Sequence, residues 1–178
     1  MIEAYKERYK LPVYAYTDGI CASGGMYVTA AADKTFASDL SIIGSVGIVL
    51  GPIYNYSELM GRVGIKARTI SEGKDKDMLS KVRPWVEGED ASLVKIGEET
   101  YNHFVDLMIK TRPHLSREKL VEEYGAQVYI AKTAQEYGFI DDGDASYSSA
   151  LKELTEMAKI DGEYQVVRLK PRRQFLTE

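Results

Sequence analysis

The sequence predicts an α/β protein with a mainly parallel sheet. Three observations carry that expectation. Strand-length apolar runs alternate along the chain with stretches of helical spacing. One long amphipathic helix is written between Gly88 and Thr111. The first strand runs into a small-residue elbow, Thr17 to Gly25 (TDGICASGG), before the next helix begins.

In chain order, MIEAYKERYK reads as the charged last turns of a helix, so the chain is expected to open inside one. LPVYAYT (11–17) is apolar, β-branched and aromatic, and predicts a strand over 11–16. MYVTAAA (26–32) predicts a buried helix after the elbow, and KTFAS (34–38) a short strand. SIIGSVGIVL (41–50) is a second apolar strand run, interrupted by Gly44 and Gly47, where glycine marks close backbone approach or a bulge. YNYSELMGRVG (54–64) has helical spacing, IKARTI (65–70) alternates as a strand, and SEGKDKDMLS (71–80) is a polar loop. On the long helix, Leu93, Ile96, Tyr101, Phe104, Val105 and Met108 mark one face, and Pro113 ends it. A shorter helix is expected over 116–124. Thr133 and Glu136 have capping-box spacing, predicting a brief helix there. A helix over 145–159 and a last strand over 164–169 complete the chain.

The totals narrow the function. A length of 178 residues suits one domain, 1–178, with a substantial core. A net charge of −4 carries no nucleic-acid signature, and the short basic run at 168–173 reads as a solvated tail. One cysteine, Cys21, cannot form an intrachain disulfide and reads as a buried thiol. With two isolated histidines and no ligand spacing, neither a metal nor a cofactor is expected. No apolar run approaches the ~20 residues of a membrane span, and no signal-peptide pattern opens the chain.

Ser23 lies at the centre of the elbow. A serine between strand and helix, followed by Gly24 and Gly25, can project its hydroxyl into a cleft, with backbone N–H groups facing a nascent oxyanion. The plainer reading is an ordinary Gly-rich turn. A nucleophile needs a base, and the histidines are poor candidates: His103 is mid-helix and His114 lies in a turn. A lysine can replace histidine when desolvation keeps its amine neutral. Lys74 and Lys76, in the KDKD run, are the candidates, although taken alone such a run reads first as a solvated loop, and Asp75 and Asp77 would raise the pKa of a lysine they faced.

Taken together these segments resemble the signal peptide peptidase A group of serine proteases, peptidase family S49. The family's A-S-G-G-x-Y, A-A-D-K, G-S-[IV]-G-V and K-D elements match Ala22–Tyr27, Ala31–Lys34, Gly44–Ile48 and Lys76–Asp77, in order and at close to family spacing. QVYIAKTAQEYGFID resembles the family's later G-x-V-[YF] to G-L-[IV]-D segment. Gln127 follows Ala126 where Gly-Arg is common, which is a departure.

The resemblance implies Ser23 as nucleophile, Lys76 as general base, Ser45 as the hydroxyl orienting the amine, and the Gly24 N–H as an oxyanion donor. Lys74 would be a neighbour without a role. It implies a ClpP/crotonase-type spiral of ββα units lacking its first units, so that the chain is the C-terminal part of a catalytic domain. It also implies peptide substrates of remnant signal-peptide or apolar character, a homo-oligomeric ring, and an extracytoplasmic, membrane-associated setting, with any anchor in a segment this chain does not contain. Two other readings stay open: an inactive fragment or assembly subunit, and a crotonase-type acyl-CoA enzyme, against which the Ser23/Lys76 pair argues.

Overall fold

The computed structural model describes residues 1–169. The chain is mixed α/β, as the alternation of patterns predicts. Helix α1 (Ile2–Tyr9) ends on Lys10 in the left-handed region. Strand β1 (Tyr14–Thr17) and strand β2 (Ile20–Ala22) are separated only by Asp18 and Gly19, and α2 (Gly24–Thr29) follows. Strands β3 (Lys34–Ala37) and β4 (Ile42–Gly44) come next, then α3 (Ser57–Arg62) and the long α4 (Ala91–Thr111). A wide π-type helix (Lys119–Tyr124), β5 (Val128–Ile130), α5 (Ala131–Glu136) and α6 (Tyr147–Met157) close the described part.

The strands form two small sheets. β1 pairs with β3 in parallel, Tyr14 opposite Lys34 through Thr17 opposite Ala37. β2 pairs with β4 in parallel, Ala22 opposite Gly44, and β5 adds antiparallel to β4. The Asp18–Gly19 step thus transfers the chain from one sheet to the other, and the elbow expected at 17–25 contains a strand of its own. Ser38 N–H to the Thr17 carbonyl (3.0 Å) and Ile42 N–H to the Gly19 carbonyl (2.8 Å) carry the parallel pairing across the bend.

One core cluster lies between α2, α4, the π-type helix and α5. Met26, Ile43, Val46, Val105, Met108, Leu120 and Phe139 are fully buried in it. Two motif residues fasten the outer helices to this frame. Asp33 accepts from Val13 N–H (2.8 Å) and pairs with Lys6 of α1 at 2.6 Å, while Lys34 pairs with Glu153 of α6. The Ala-Ala-Asp-Lys element is therefore structural.

Several expectations are corrected. IKARTI (65–70) forms no strand, and neither does 164–169: both are exposed and irregular, and alternation gives a strand only where a neighbour supplies the ladder. The apolar run 41–50 is a strand only at Ile42–Gly44, because Gly44 (φ 123°) and Ser45 (φ 57°) turn the backbone out of the extended region. Thr133 lies inside α5, whose cap is Ile130 without a side-chain bond; the capping box opens α6 instead, Ser146 with Ser149. On α4, Phe104, Val105 and Met108 are buried as expected, but Ile96 is 53% exposed. From Ile48 to Asp90 no residue is buried, so this stretch is an arm outside the core. Residues 170–173 of the basic run lie outside the described residues.

Candidate active site

Ser23 stands at the junction of β2 and α2 with φ 51° and ψ −118°, in the region L-residues rarely occupy. Its N–H donates to the Gly44 carbonyl (2.9 Å), and its own carbonyl accepts from Tyr27 N–H (3.1 Å). The residue is thus held by β4 on one side and by the first turn of α2 on the other, and its side chain is exposed. Strained backbone of this kind costs roughly 1–3 kcal/mol and persists only where the surroundings fix it. Gly24 is the first residue of α2, where backbone N–H groups lack intrahelical acceptors.

Ser45 is brought to the same place. It follows Gly44, has φ 57°, and donates its N–H to the Gln127 carbonyl (2.7 Å). Ser23 and Ser45 line one cavity of about 440 Å³ whose other walls include Ile48, Leu50, Ile96 and Ala126. A larger apolar cavity of about 550 Å³ adjoins it, sharing Gly47, Ile48, Leu50, Gly97 and Ala126 and extending to Leu93 and Tyr101. Gly47 is needed where it is, since a Cβ there would stand 2.6 Å from the Ala126 Cβ. The approach of 44–47 to 126–127 is what the glycines in the apolar run signalled.

Beneath Ser23, α2 is anchored along its C-terminal half. Tyr27 meets His103 of α4 through its hydroxyl (3.0 Å to Nε2) and packs edge-on against Phe104. At Thr29, the last residue of α2, the buried Arg112 donates to the carbonyls of Thr29 and Phe139 (3.2 Å each) and to Thr35 Oγ1 (2.5 Å). Burial pushes its pKa down and nearby Asp141 opposes that. An arginine stays charged across the physiological range. Nothing in the local sequence pattern singles out Arg112: only its place before Pro113, at the end of α4, is visible there. Cys21 is buried against Met26 and Thr29, as a structural thiol.

Lys76 occupies an exposed turn on the arm, its N–H donating to the Gly73 carbonyl at 3.3 Å. Among the described residues no hydrogen bond joins it to Ser23 or Ser45. The structure therefore brings two of the expected side chains together within one chain and leaves the lysine apart. Next to it, Asp77 is bound by Arg83, which also binds Glu89. Those bonds hold both carboxyls below the usual carboxylate range and push the guanidinium pKa up. No group of metal-binding side chains, and no helix long and apolar enough to cross a membrane, occurs among the described residues.

A strained serine on a strand–helix elbow beside an apolar cavity is an arrangement suited to a hydrolytic nucleophile. The family model for peptidase family S49 matches residues 5–161. The chain belongs to peptidase family S49. It is 35% identical over 151 residues to a putative protease of Methanocaldococcus jannaschii, a match covering 85% of this chain and 48% of that protein. A putative signal peptide peptidase SppA of Enterococcus faecium is 30% identical over 131 residues, 74% of this chain and 38% of its own length. The chloroplastic serine protease SPPA of Arabidopsis thaliana is also 30% identical over 131 residues, 73% of this chain and 19% of that protein. The chain thus spans less than half the length of each of these relatives.

Proposed function

We propose that this chain is the catalytic part of a serine endopeptidase working through a Ser23–Lys76 dyad. The observation that carries the reading is the strained Ser23 sharing a cavity with Ser45 on an apolar cleft. Lys76 takes the Ser23 Oγ proton as the oxygen attacks a peptide carbonyl, with Ser45 orienting the amine. The oxyanion is received by the Gly24 N–H. The protonated lysine then gives its proton to the leaving amine, and water, deprotonated by the same lysine, releases the acyl group from Ser23. The cleft walls of Ile48, Leu50, Ile96 and Leu93 favour apolar peptide substrates, in keeping with the name of the Enterococcus relative.

Lys76 lies on an arm without a core, and that arm carries exposed Val49, Tyr54, Leu59, Ile65, Ile70 and Val86. Apolar surface on this scale is a docking surface. The arm reaches its working position by packing on a second copy of the chain, so the dyad is completed in a homo-oligomer. The same reading takes residues 1–178 as one domain, with β1–β2–α2 as one ββα unit of a ClpP/crotonase-type spiral and β3–β4 as the start of the next.

Cleavage of an apolar fluorogenic peptide tests this. Ser23→Ala and Lys76→Ala each abolish turnover, Lys74→Ala does not, and mixing the two inactive variants restores some activity. Equal loss in Lys74→Ala would remove Lys76 from the role of base. Recovery absent from the mixture would place both residues of the dyad in one chain.

A further inference from the structure

A general base contributes only when its amine is held within a fraction of an ångström of its working position. No residue of the turn bearing Lys76 is itself buried, and three of its residues, Gly73, Asp75 and Leu79, have positive φ. Its local backbone bonds are few: Lys76 to Gly73, Met78 to Asp75 and Ser80 to Asp77. Trp85 Nε1–H donates to the Ser80 carbonyl (2.9 Å) and Ser92 Oγ of α4 to Met78 Sδ (3.5 Å), but the charged tie at Asp77, next to Lys76, is a single guanidinium. Arg83 donates from Nε to Asp77 Oδ2 (2.9 Å) and from Nη2 to the Asp77 carbonyl (2.8 Å) and to Glu89 Oε2 (2.6 Å).

The far end of this clamp is anchored. Glu89 is the better covered carboxylate, 6% exposed, and its other oxygen accepts from Val86 N–H at 3.1 Å. It immediately precedes Asp90, the cap of α4. Helix α4 is rooted in the core by Phe104, Val105 and Met108, and its Ile96, Gly97 and Thr100 line the Ser23 cavity. A covalent and hydrogen-bonded path therefore runs from the core-rooted α4 through Glu89, Arg83 and Asp77 to Lys76. It fixes the turn on its own chain, from which the amine is presented to the Ser23 of a second copy.

We propose that Arg83 is a positioning residue for the general base, clamping the Lys76 turn to the start of α4 so that the amine is presented in one orientation. The inference rests on Lys76 being the base. Charge-assisted bonds to two carboxylates from one planar fork are strong and directional, and a lysine ammonium cannot reproduce that fork. Arg83 lines neither the Ser23 cavity nor the apolar cavity beside it, so its loss should act on turnover and leave substrate binding alone.

The test measures kcat and KM on the same peptide for wild type, Arg83→Ala, Arg83→Lys and Asp77→Asn, with thermal melting alongside. Arg83→Ala should lower kcat about tenfold or more with KM within about twofold, and Arg83→Lys should fall between it and the wild type. Asp77→Asn keeps the guanidinium and the shape of the turn, so it reports the clamp even if Arg83→Ala melts too low to assay; its kcat should also fall. A kcat within about threefold of wild type in the foldable variants, or a loss carried by KM, overturns the clamp. A fully active Lys76→Ala measured in parallel overturns the base assignment instead, so the two failures are distinguishable.

Discussion

Replacing Gly44 by alanine probes the joint on which Ser23 and Ser45 both depend. Gly44 has φ 123°, where an L side chain is strained, and an added Cβ would lie 2.5 Å from the Gln127 carbonyl oxygen and 3.3 Å from the Val128 Cα. Neither neighbour can yield freely. Moving residue 127 away breaks its 2.7 Å bond from Ser45 N–H, and moving residue 44 breaks the 2.9 Å bond from Ser23 N–H. Backbone strain of about 1–3 kcal/mol and overpacking of about 1–3 kcal/mol combine to about 2–6 kcal/mol. For a chain of this length each kcal/mol lowers the melting midpoint by about 2–4 °C, so a loss near the middle of that range is about 8–16 °C. Gly64 supplies the control: it also has positive φ (75°), but nothing lies within 4 Å of its would-be Cβ. Gly64→Ala should cost only the left-handed conformation, about 1–2 kcal/mol. Thermal and urea unfolding of the two variants, with the rate of Ser23 acylation in each, give the comparison. Equal midpoints for Gly44→Ala and Gly64→Ala, or normal acylation in Gly44→Ala, would refute the argument that this contact sets the site.

Three further outcomes are expected. Ser45→Ala should reduce kcat about tenfold or more, the worth of a hydrogen bond to an ionisable partner, with little change in melting; an unchanged kcat would leave Ser45 a purely structural residue. Arg112→Met should destabilise the chain by about 2–6 kcal/mol in urea titration, because the Thr29 and Phe139 carbonyls each lose their buried donor at about 1–3 kcal/mol apiece; a loss below about 1 kcal/mol would contradict the anchoring of α2. Asp77 and Glu89 have carboxyls lowered by Arg83, so their contribution is present above the ordinary carboxylate range and is lost as pH falls through the lowered values. Hydrogen-exchange protection over residues 76–89 should therefore persist at pH 5, collapse below about pH 4, and be absent throughout in Arg83→Ala.

The parts of the site legible in the sequence are those written as local pattern. The elbow around Ser23 combines a strand run, small residues and a following apolar stretch in one continuous segment, 11–32. Gly44 and Gly47 interrupt an apolar run, a sign of close backbone approach or a bulge, and residues 126–127 are the close neighbour. Helix α4 is visible because its buried face recurs at helical spacing as far as Met108. What local pattern hides is partnership. IKARTI alternates like a strand but finds no ladder, and Thr133-x-x-Glu136 matches a cap but follows a helix start already set at Ala131. Arg112 gains its role from the Thr29, Thr35 and Phe139 groups, 83, 77 and 27 positions away. Arg83 looks like any basic residue in a polar loop until Asp77 and Glu89, six positions to either side, close on it.

The most direct measurement is intact-mass analysis of the chain after exposure to a serine-acylating peptide inhibitor, with Ser23→Ala in parallel. The account predicts one adduct on the wild-type chain that disappears in Ser23→Ala. An adduct that survives in Ser23→Ala, or a wild-type chain that is never acylated, would contradict Ser23 as an activated nucleophile.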